Sequence, residues 1–306
     1  MALPDFQSIM LPLLKQVADD QPHASRDVVE SLASHFKLTE DQKHEMLPSG
    51  VQPAFYNRVM WARFYLVKGG LLSAPKRGMI RITPRGQEVL KSKVDKVNVA
   101  FLKKKFPEFA DFQSAKRGSP SAAEPSIMES TQTPEEILGG AYRLMRSALA
   151  LELLTKVRTM DWKDFEDLVV KLLVQMGYGG TSDDVRHAFG KRTGDEGIDG
   201  TIKEDKLGLD AIHVQAKRWK DGSTVGRSEL QKFVGALAGQ GARKGVFITA
   251  SSFSKEAREY APKNDTKIVL LDGEQLVELM IDYNLGVIPR ETFVVKRIDG
   301  DFFGEE

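Results

Sequence analysis

The sequence predicts a chain of two unlike domains, α/β and α+β in class. Helices around a small hairpin come first, and a mixed sheet between helical layers follows. Three observations carry this. The chain has 306 residues, a length that suits two ordinary domains. The first hundred residues hold helical periodicity interrupted by one short hairpin, whereas the second half alternates strand and helix patterns. Between the two, residues 107–135 lose periodicity and fill with Pro, Ser and Ala, the composition of a flexible linker. The expected layout is therefore 1–105 as a first domain, 106–134 as linker, 135–159 as a connecting helix and 160–306 as a second domain.

Leu3–Ala18 is apolar at helical spacing. Ser25 is placed to cap a helix over Arg26–Phe36, and Thr39 to cap one over Glu40–Met46. Pro53 stands where a first helical turn begins, and Gly69-Gly70 ends the helix that follows it. Two short strands, Leu71–Ala74 and Met79–Ile82, are joined by Pro75-Lys76-Arg77-Gly78. Thr83 then caps a helix with Pro84 at its first position. Helices, a basic-tipped hairpin and a short helix make a winged helix-turn-helix, in which one helix enters the DNA major groove and the hairpin flanks it. The Pro53–Lys68 helix is the expected reader. Its polar candidates are Asn57, Arg58, Arg63 and Lys68, while Phe55, Val59, Phe64 and Leu66 supply core contacts. Lys76, Arg77 and Arg81 on or near the wing would meet phosphate, which positions a protein without specifying sequence.

Charge supports this reading. The net charge is +1, yet residues 58–105 carry 13 Lys/Arg against only Glu88 and Asp95. A basic block in a near-neutral chain points to a localised polyanion contact. There are no cysteines, which excludes disulfides, zinc fingers and thiol catalysis. No apolar run approaches the roughly 18 residues that span a bilayer, and the N-terminus lacks the basic region of a signal peptide. A cytoplasmic location fits.

In the second half, a helix begins at Pro134 and runs to about Lys156. Asp161 caps another, whose buried face is Phe165, Leu168, Val169, Leu172 and Leu173, and Gly177 stops it. A strand near Val185–Phe189 precedes an acidic glycine-rich turn, and Gly200–Ile202 resumes a strand after it. The strand ending in Gln215-Ala216-Lys217 comes next. Ser228 with Gln231 forms a capping-box pattern. Gly245–Ala250 reads as a buried strand, followed by a helix at Ser254–Tyr260, a strand at Lys267–Leu271 and an Asp272-capped helix to Ile281. The β–α–β–α order implies parallel strands with right-handed crossovers. Three or four antiparallel strands are expected ahead of them.

The stretch Gly194–Lys217 carries the chemistry. Side chains alternate along a strand, so His213, Gln215 and Lys217 share one face while Ile212, Val214 and Ala216 share the other. Asp199 lies in the acidic turn sixteen residues before Gln215. A carboxylate, an amide and an ammonium together suit divalent-metal hydrolysis of a phosphodiester. Mg²⁺ takes hard oxygen ligands and keeps several waters, so few protein groups suffice. Asp199 is the first expected ligand, the Gln215 amide oxygen the second and the Ala216 carbonyl the third, with Mn²⁺ a possible substitute for Mg²⁺. Lys217 would orient the water or neutralise developing charge. Lys191, Arg192, Arg218, Trp219, Lys220 and Arg227 flank these groups and would hold DNA near the metal. His213 reads as structural or as a phosphate contact.

With these residues in view, the chain resembles the PD-(D/E)xK nuclease superfamily, specifically its Mrr branch with a QxK third motif. Matching segments occur in order: MGYGG, GDEGIDG, VQAKRW, GALAGQ and GVFITAS. The basic N-terminal half resembles the winged-helix domain of Mrr restriction proteins. The resemblance implies a three-layer αβα catalytic domain with a central mixed sheet. It also implies a type IV restriction endonuclease cutting modified, chiefly methylated, double-stranded DNA with Mg²⁺. Carried over, Asp199 and Gln215 are metal-site residues, Lys217 is the catalytic lysine and Glu166 is a supporting helix carboxylate. Asp195 and Glu196 rank below Asp199. One active site per chain and two strands to cut suggest a dimer or higher homo-oligomer when acting. Two alternatives remain open on sequence: a nuclease of DNA repair or branched DNA, and a non-catalytic winged-helix regulator.

Overall fold

The computed structural model describes residues 2–109, 131–179, 197–205, 207–218, 223–261, 266–299 and 302. The expected strand near Val185–Phe189 and most of the expected linker lie outside them. The chain divides into two compact units, Met1–Leu144 with Lys296–Glu306, and Met145–Val295.

The first unit is built on α1 (Phe6–Gln16), α2 (Ser25–His35), α3 (Glu40–His44) and α4 (Ala54–Lys68). Asp5 caps α1 by accepting from the backbone N–H groups of Gln7 and Ser8. The helix buries Phe6, Ile9, Met10, Leu13 and Leu14 on one face, each contributing roughly 1.5–3 kcal/mol. Thr39 and Gln42 close a capping box on α3. The sheet has the order β1 (His23–Ala24), β3 (Met79–Ile82), β2 (Leu72–Ser73), all antiparallel. Here β1 was not foreseen, because two residues carry no periodicity. The β2–β3 hairpin and α5 (Pro84–Lys91), capped by Thr83, fall where expected. A further helix, α6 (Val99–Lys105), had no forecast. The order helices, hairpin, short helix is that of the expectation, with β1 added.

One expected cap is corrected. Ser25 is the first residue of α2, not its cap; Ala24 takes the capping position and offers no side-chain bond.

In the second unit, the helix α7 (Pro134–Thr159), which begins in the first unit, contributes Leu153, Leu154 and Val157 to the core. Asp161 caps α8 (Trp162–Gln175), which buries Phe165, Val169, Leu172 and Leu173, and Gly177 ends it at φ +99°. The sheet runs β4 (Gly200–Lys203), β5 (Ala211–Lys217), β7 (Lys244–Thr249), β9 (Lys267–Leu271). β4 is antiparallel to β5, while β5–β7 and β7–β9 are parallel, so the sheet is mixed. Among the described residues there is one antiparallel pair in it, and the forecast strand near Val185–Phe189 lies outside them. A small parallel pair, β6 (Thr224–Val225) with β8 (Ser252–Phe253), was not foreseen.

The sheet lies between two apolar layers. Val214, Ala216, Val246 and Ile248 pack with α7, α8 and α11 (Gly273–Asp282). Phe247 packs on the other side with α9 (Arg227–Gly239) and α10 (Lys255–Tyr260). The helix α9 starts after Gly226 with no side-chain cap, which corrects the Ser228/Gln231 capping box. It docks by setting Phe233 and Leu237 over Gly245, where an added Cβ would stand 2.8 Å from each.

Candidate active site

The register of the β4–β5 pair assembles the site. Gly200 faces Val214 and Thr201 faces His213, so Asp199, one residue before β4, comes opposite Gln215. Gly197, at φ +129°, turns the chain into this position, a conformation that favours glycine. Across β5, Gln215 pairs with Phe247 and Lys217 with Thr249, so the odd-numbered side chains point toward α9.

The three groups do converge. Gln215 Nε2 and the Ala216 backbone N–H, at 2.7 Å, both donate to Asp199 Oδ2. Burial pushes the Asp199 carboxyl above its ordinary pKa, and the Ala216 N–H and the charge of Lys217 offset part of that. Gln215 is 3% exposed, and its Oε1 is buried with no hydrogen-bond partner. A buried carbonyl oxygen with open lone pairs costs free energy unless something occupies them. The amide that donates to Asp199 through Nε2 thus keeps its own oxygen unpaired, and carboxylate and amide oxygens are the hard donors that a divalent cation of the Mg²⁺ kind takes. Among the described residues no group of three or more His, Asp or Glu side chains stands together as a metal set, so the protein donors would be few.

Lys217 Nζ lies 3.4 Å from Glu229 Oε2, and Lys232 Nζ donates to Glu229 Oε1 at 2.9 Å. Lys232 first, and Lys217 after it, hold the Glu229 carboxyl below its usual range. Sequence reasoning missed Glu229. The only signal was its place in the first turn of the helix after the QAK strand. The backbone carbonyl of Lys217 accepts from Thr249 Oγ1 at 2.8 Å, which ties the end of β5 to β7.

The other expected residues are placed as follows. Glu166 is partly buried on α8. Arg218 turns inward: Nη1 donates to the Arg158 carbonyl at 2.7 Å, and Nε is buried without a partner, so it braces the end of α7. His213 Nδ1 pairs with Thr201 Oγ1 at 3.0 Å, and burial lowers its pKa, which suits a neutral structural imidazole. Arg227 stacks its guanidinium over Tyr260. Lys191, Arg192, Asp195, Glu196, Trp219 and Lys220 lie outside the described residues.

The expected reader residues need revision. Asn57 is 2% exposed, so its side chain has no open face toward a groove. Arg58 is tied to Glu136 Oε1 and to the carbonyls of Leu3 and Pro4. Arg63 is half-buried and reaches the Met79 carbonyl at 3.5 Å, and desolvation lowers its pKa. These three are corrected from groove readers to framework groups, because α4 is enclosed by its own unit. Lys68 stays exposed, with its ammonium over the Phe64 ring. Lys76 and Arg77 are exposed at the hairpin tip, and Arg81 pairs with Asp20 at 3.0 Å.

Comparison with known proteins fits this layout. Residues 157–280 match the Mrr catalytic family, described as restriction endonuclease, and residues 6–92 match the Mrr N-terminal domain. The chain is 38% identical over 316 residues to the type IV methyl-directed restriction enzyme EcoKMrr of Escherichia coli K12, covering 99% of this chain and 100% of that one. The chain belongs to the Mrr restriction endonuclease family. Among solved structures, MspJI restriction endonuclease in complex with a 27-mer oligonucleotide shows 17% identity and a TM-score of 0.30, covering 68% of this chain and 49% of that one. The modification-dependent endonuclease AspBHI shows 17% and 0.33, covering 58% and 49%. At those scores neither likeness bears on fold or function. Restriction endonucleases generally use divalent metal ions, in keeping with the oxygen donors of Asp199 and Gln215. In this Mrr-family chain no described helix is long and apolar enough to cross a membrane.

Proposed function

We propose that this restriction endonuclease cuts double-stranded DNA carrying modified, chiefly methylated, bases, using Mg²⁺, for which Mn²⁺ can substitute. The observation that carries the chemistry is the Asp199–Gln215–Lys217 cluster, in which Gln215 meets the carboxylate through Nε2 and keeps a buried Oε1 unpaired. The identity to a methyl-directed enzyme over the whole chain supports the choice of substrate.

Asp199, Gln215 Oε1 and the Ala216 carbonyl would hold the ion. When bound, it supplies charge stabilisation at the phosphorus and lowers the pKa of a coordinated water. The protein's own groups do the rest. The Ala216 N–H and Gln215 Nε2 fix Asp199 Oδ2 and so aim the carboxylate. Glu229 holds the Lys217 ammonium at the end of β5. From there Lys217 donates to a phosphate oxygen or to the attacking water as negative charge develops. Glu166 supports the site from α8. Lys68, Lys76, Arg77, Arg81 and Arg192 meet the DNA backbone. Two strands need two sites, so the active form is a dimer or larger, working in the cytoplasm.

The test is plasmid cleavage with Mg²⁺ on methylated and unmethylated DNA. Lys217→Ala should lose about 10²–10³-fold in rate, the usual cost of removing one charge-stabilising donor. A Lys217→Ala protein that cuts as well as wild type would sink the site assignment. Equal cutting of both DNAs by wild type would sink the modified-DNA reading.

A further inference from the structure

A cleft of about 760 Å³ opens in the first unit between α2, α3, the first turn of α4 and the hairpin tip at Gly78. That volume falls within the range of small-ligand sites. Two apolar residues of its lining, Ala33 and Phe55, are almost wholly enclosed. Tyr56 lines it as well and is 39% exposed, a rigid aromatic face open to solvent. Ser25, 7% exposed, also lines it.

The charges in the lining cancel. Lys43 Nζ lies 2.8 Å from Glu40 Oε1 and 3.7 Å from Glu30 Oε2, and Arg26 brings the lining to two Lys/Arg against two carboxylates, with His44 beside them. A phosphate entering here would meet two carboxylates. A neutral flat ring with polar edges meets an aromatic face, apolar walls and carboxylates able to accept from an exocyclic amine. Lys76 and Arg77, exposed beside Gly78, stand where the sugar–phosphate backbone of such a ring would pass.

We propose that this cleft receives a modified nucleobase turned out of the duplex, with Tyr56 as its stacking partner. The proposal rests on the modified-DNA reading above and names the place where the modification is read. A base still in the stack presents only its edge to a groove and cannot enter a recess, so extrusion is part of the proposal. The enclosure of Asn57, Arg58 and Arg63 agrees, because it removes the usual groove-reading face of α4.

The experiment measures binding of the full chain, without divalent metal so that nothing is cut. The probes are duplexes with randomised flanks carrying one 5-methylcytosine, N4-methylcytosine or N6-methyladenine, plus the unmodified parent. Each modified duplex is also made with an abasic site opposite the modified base. For the preferred modification, we expect the abasic form to bind about 10-fold tighter, since no pairing is broken on extrusion. Tyr56→Ala should erase about 10-fold of the preference and leave affinity for the parent within about twofold, whereas Tyr56→Phe keeps the preference. A preference that survives Tyr56→Ala, or an abasic form no tighter than the paired one, overturns the cleft and leaves modified-DNA binding intact. A wild type indifferent to all three modifications overturns both. The abasic comparison uses wild type alone, so it stands even where a variant fails to fold.

Discussion

Arg58 and Glu136, 78 residues apart, form an enclosed ion pair: Arg58 Nε and Nη2 each lie 2.8 Å from Glu136 Oε1. Glu136 Oε2 accepts from the Thr133 N–H at 2.8 Å, and Trp61 Nε1 donates to the neighbouring Glu135 at 2.6 Å. The first turn of α7 is thereby pinned to α4. Removing one partner of a buried pair leaves an uncompensated charge, which costs about 3–5 kcal/mol. We expect Arg58→Ala to lower stability by about 3 kcal/mol in urea unfolding, and the double variant Arg58→Met/Glu136→Met to recover most of that. A single variant within 1 kcal/mol of wild type would refute the pairing.

Asp199 should trade stability for function. Burial raises its pKa, so the folded protein favours the neutral form, and this group alone makes the metal-free protein more stable as pH falls through the raised value. An asparagine can still accept from Gln215 and Ala216 without the charge. We expect Asp199→Asn to raise the metal-free melting temperature by about 2–4 °C while abolishing cleavage. For the wild type, the acid limb of activity should lie above the ordinary aspartate range at low Mg²⁺. It should move to lower pH as Mg²⁺ rises, because the ion favours the carboxylate. A limb that ignores Mg²⁺ concentration would speak against Asp199 as a ligand.

Glu229 should act through Lys217. Its pKa is depressed, so its ion-pair contribution is present above the ordinary glutamate value and is lost only as pH falls through the lower folded value. The hold on Lys217 therefore lasts through the neutral range. We expect Glu229→Gln to cut kcat by about 10–100-fold with KM little changed, the scale of losing a group that orients a catalytic one. A loss confined to KM would assign Glu229 to DNA binding instead.

The hairpin tip should behave as a phosphate contact. Lys76→Ala and Arg77→Ala should each weaken binding to all DNA sequences alike, and each should reduce the log–log salt slope by about 0.9. Weakening restricted to one sequence would make them base readers.

Much of this was legible beforehand. Thr83-Pro84, Asp161 and Asp272 announced their helices because cap chemistry is local. The alternation over 211–217 placed Gln215 and Lys217 on one face because strand period is fixed. Asp199 was legible for the same reason: its distance to Gln215 is one hairpin. What failed depended on the tertiary surroundings. Asn57, Arg58 and Arg63 are polar residues on a helix, and nothing local reveals that the rest of the unit would enclose that helix. Glu229 escaped notice because its partner Lys217 comes from a strand, and such pairings leave no sequence period. The Ser228/Gln231 box read correctly as a helix start but missed its first residue, since Gly226 caps without a side chain.

The contact of Phe233 and Leu237 on Gly245 has an engineering consequence. The helix that bears Glu229 seats the ends of Phe233 and Leu237 in the space that residue 245 leaves by having no side chain. A methyl group there would press on the tips of Phe233 and Leu237, the side chains that seat the helix whose carboxylate holds the lysine. Catalytic output could thus be graded by volume at position 245, far from any group that touches DNA, without altering the charge of the protein.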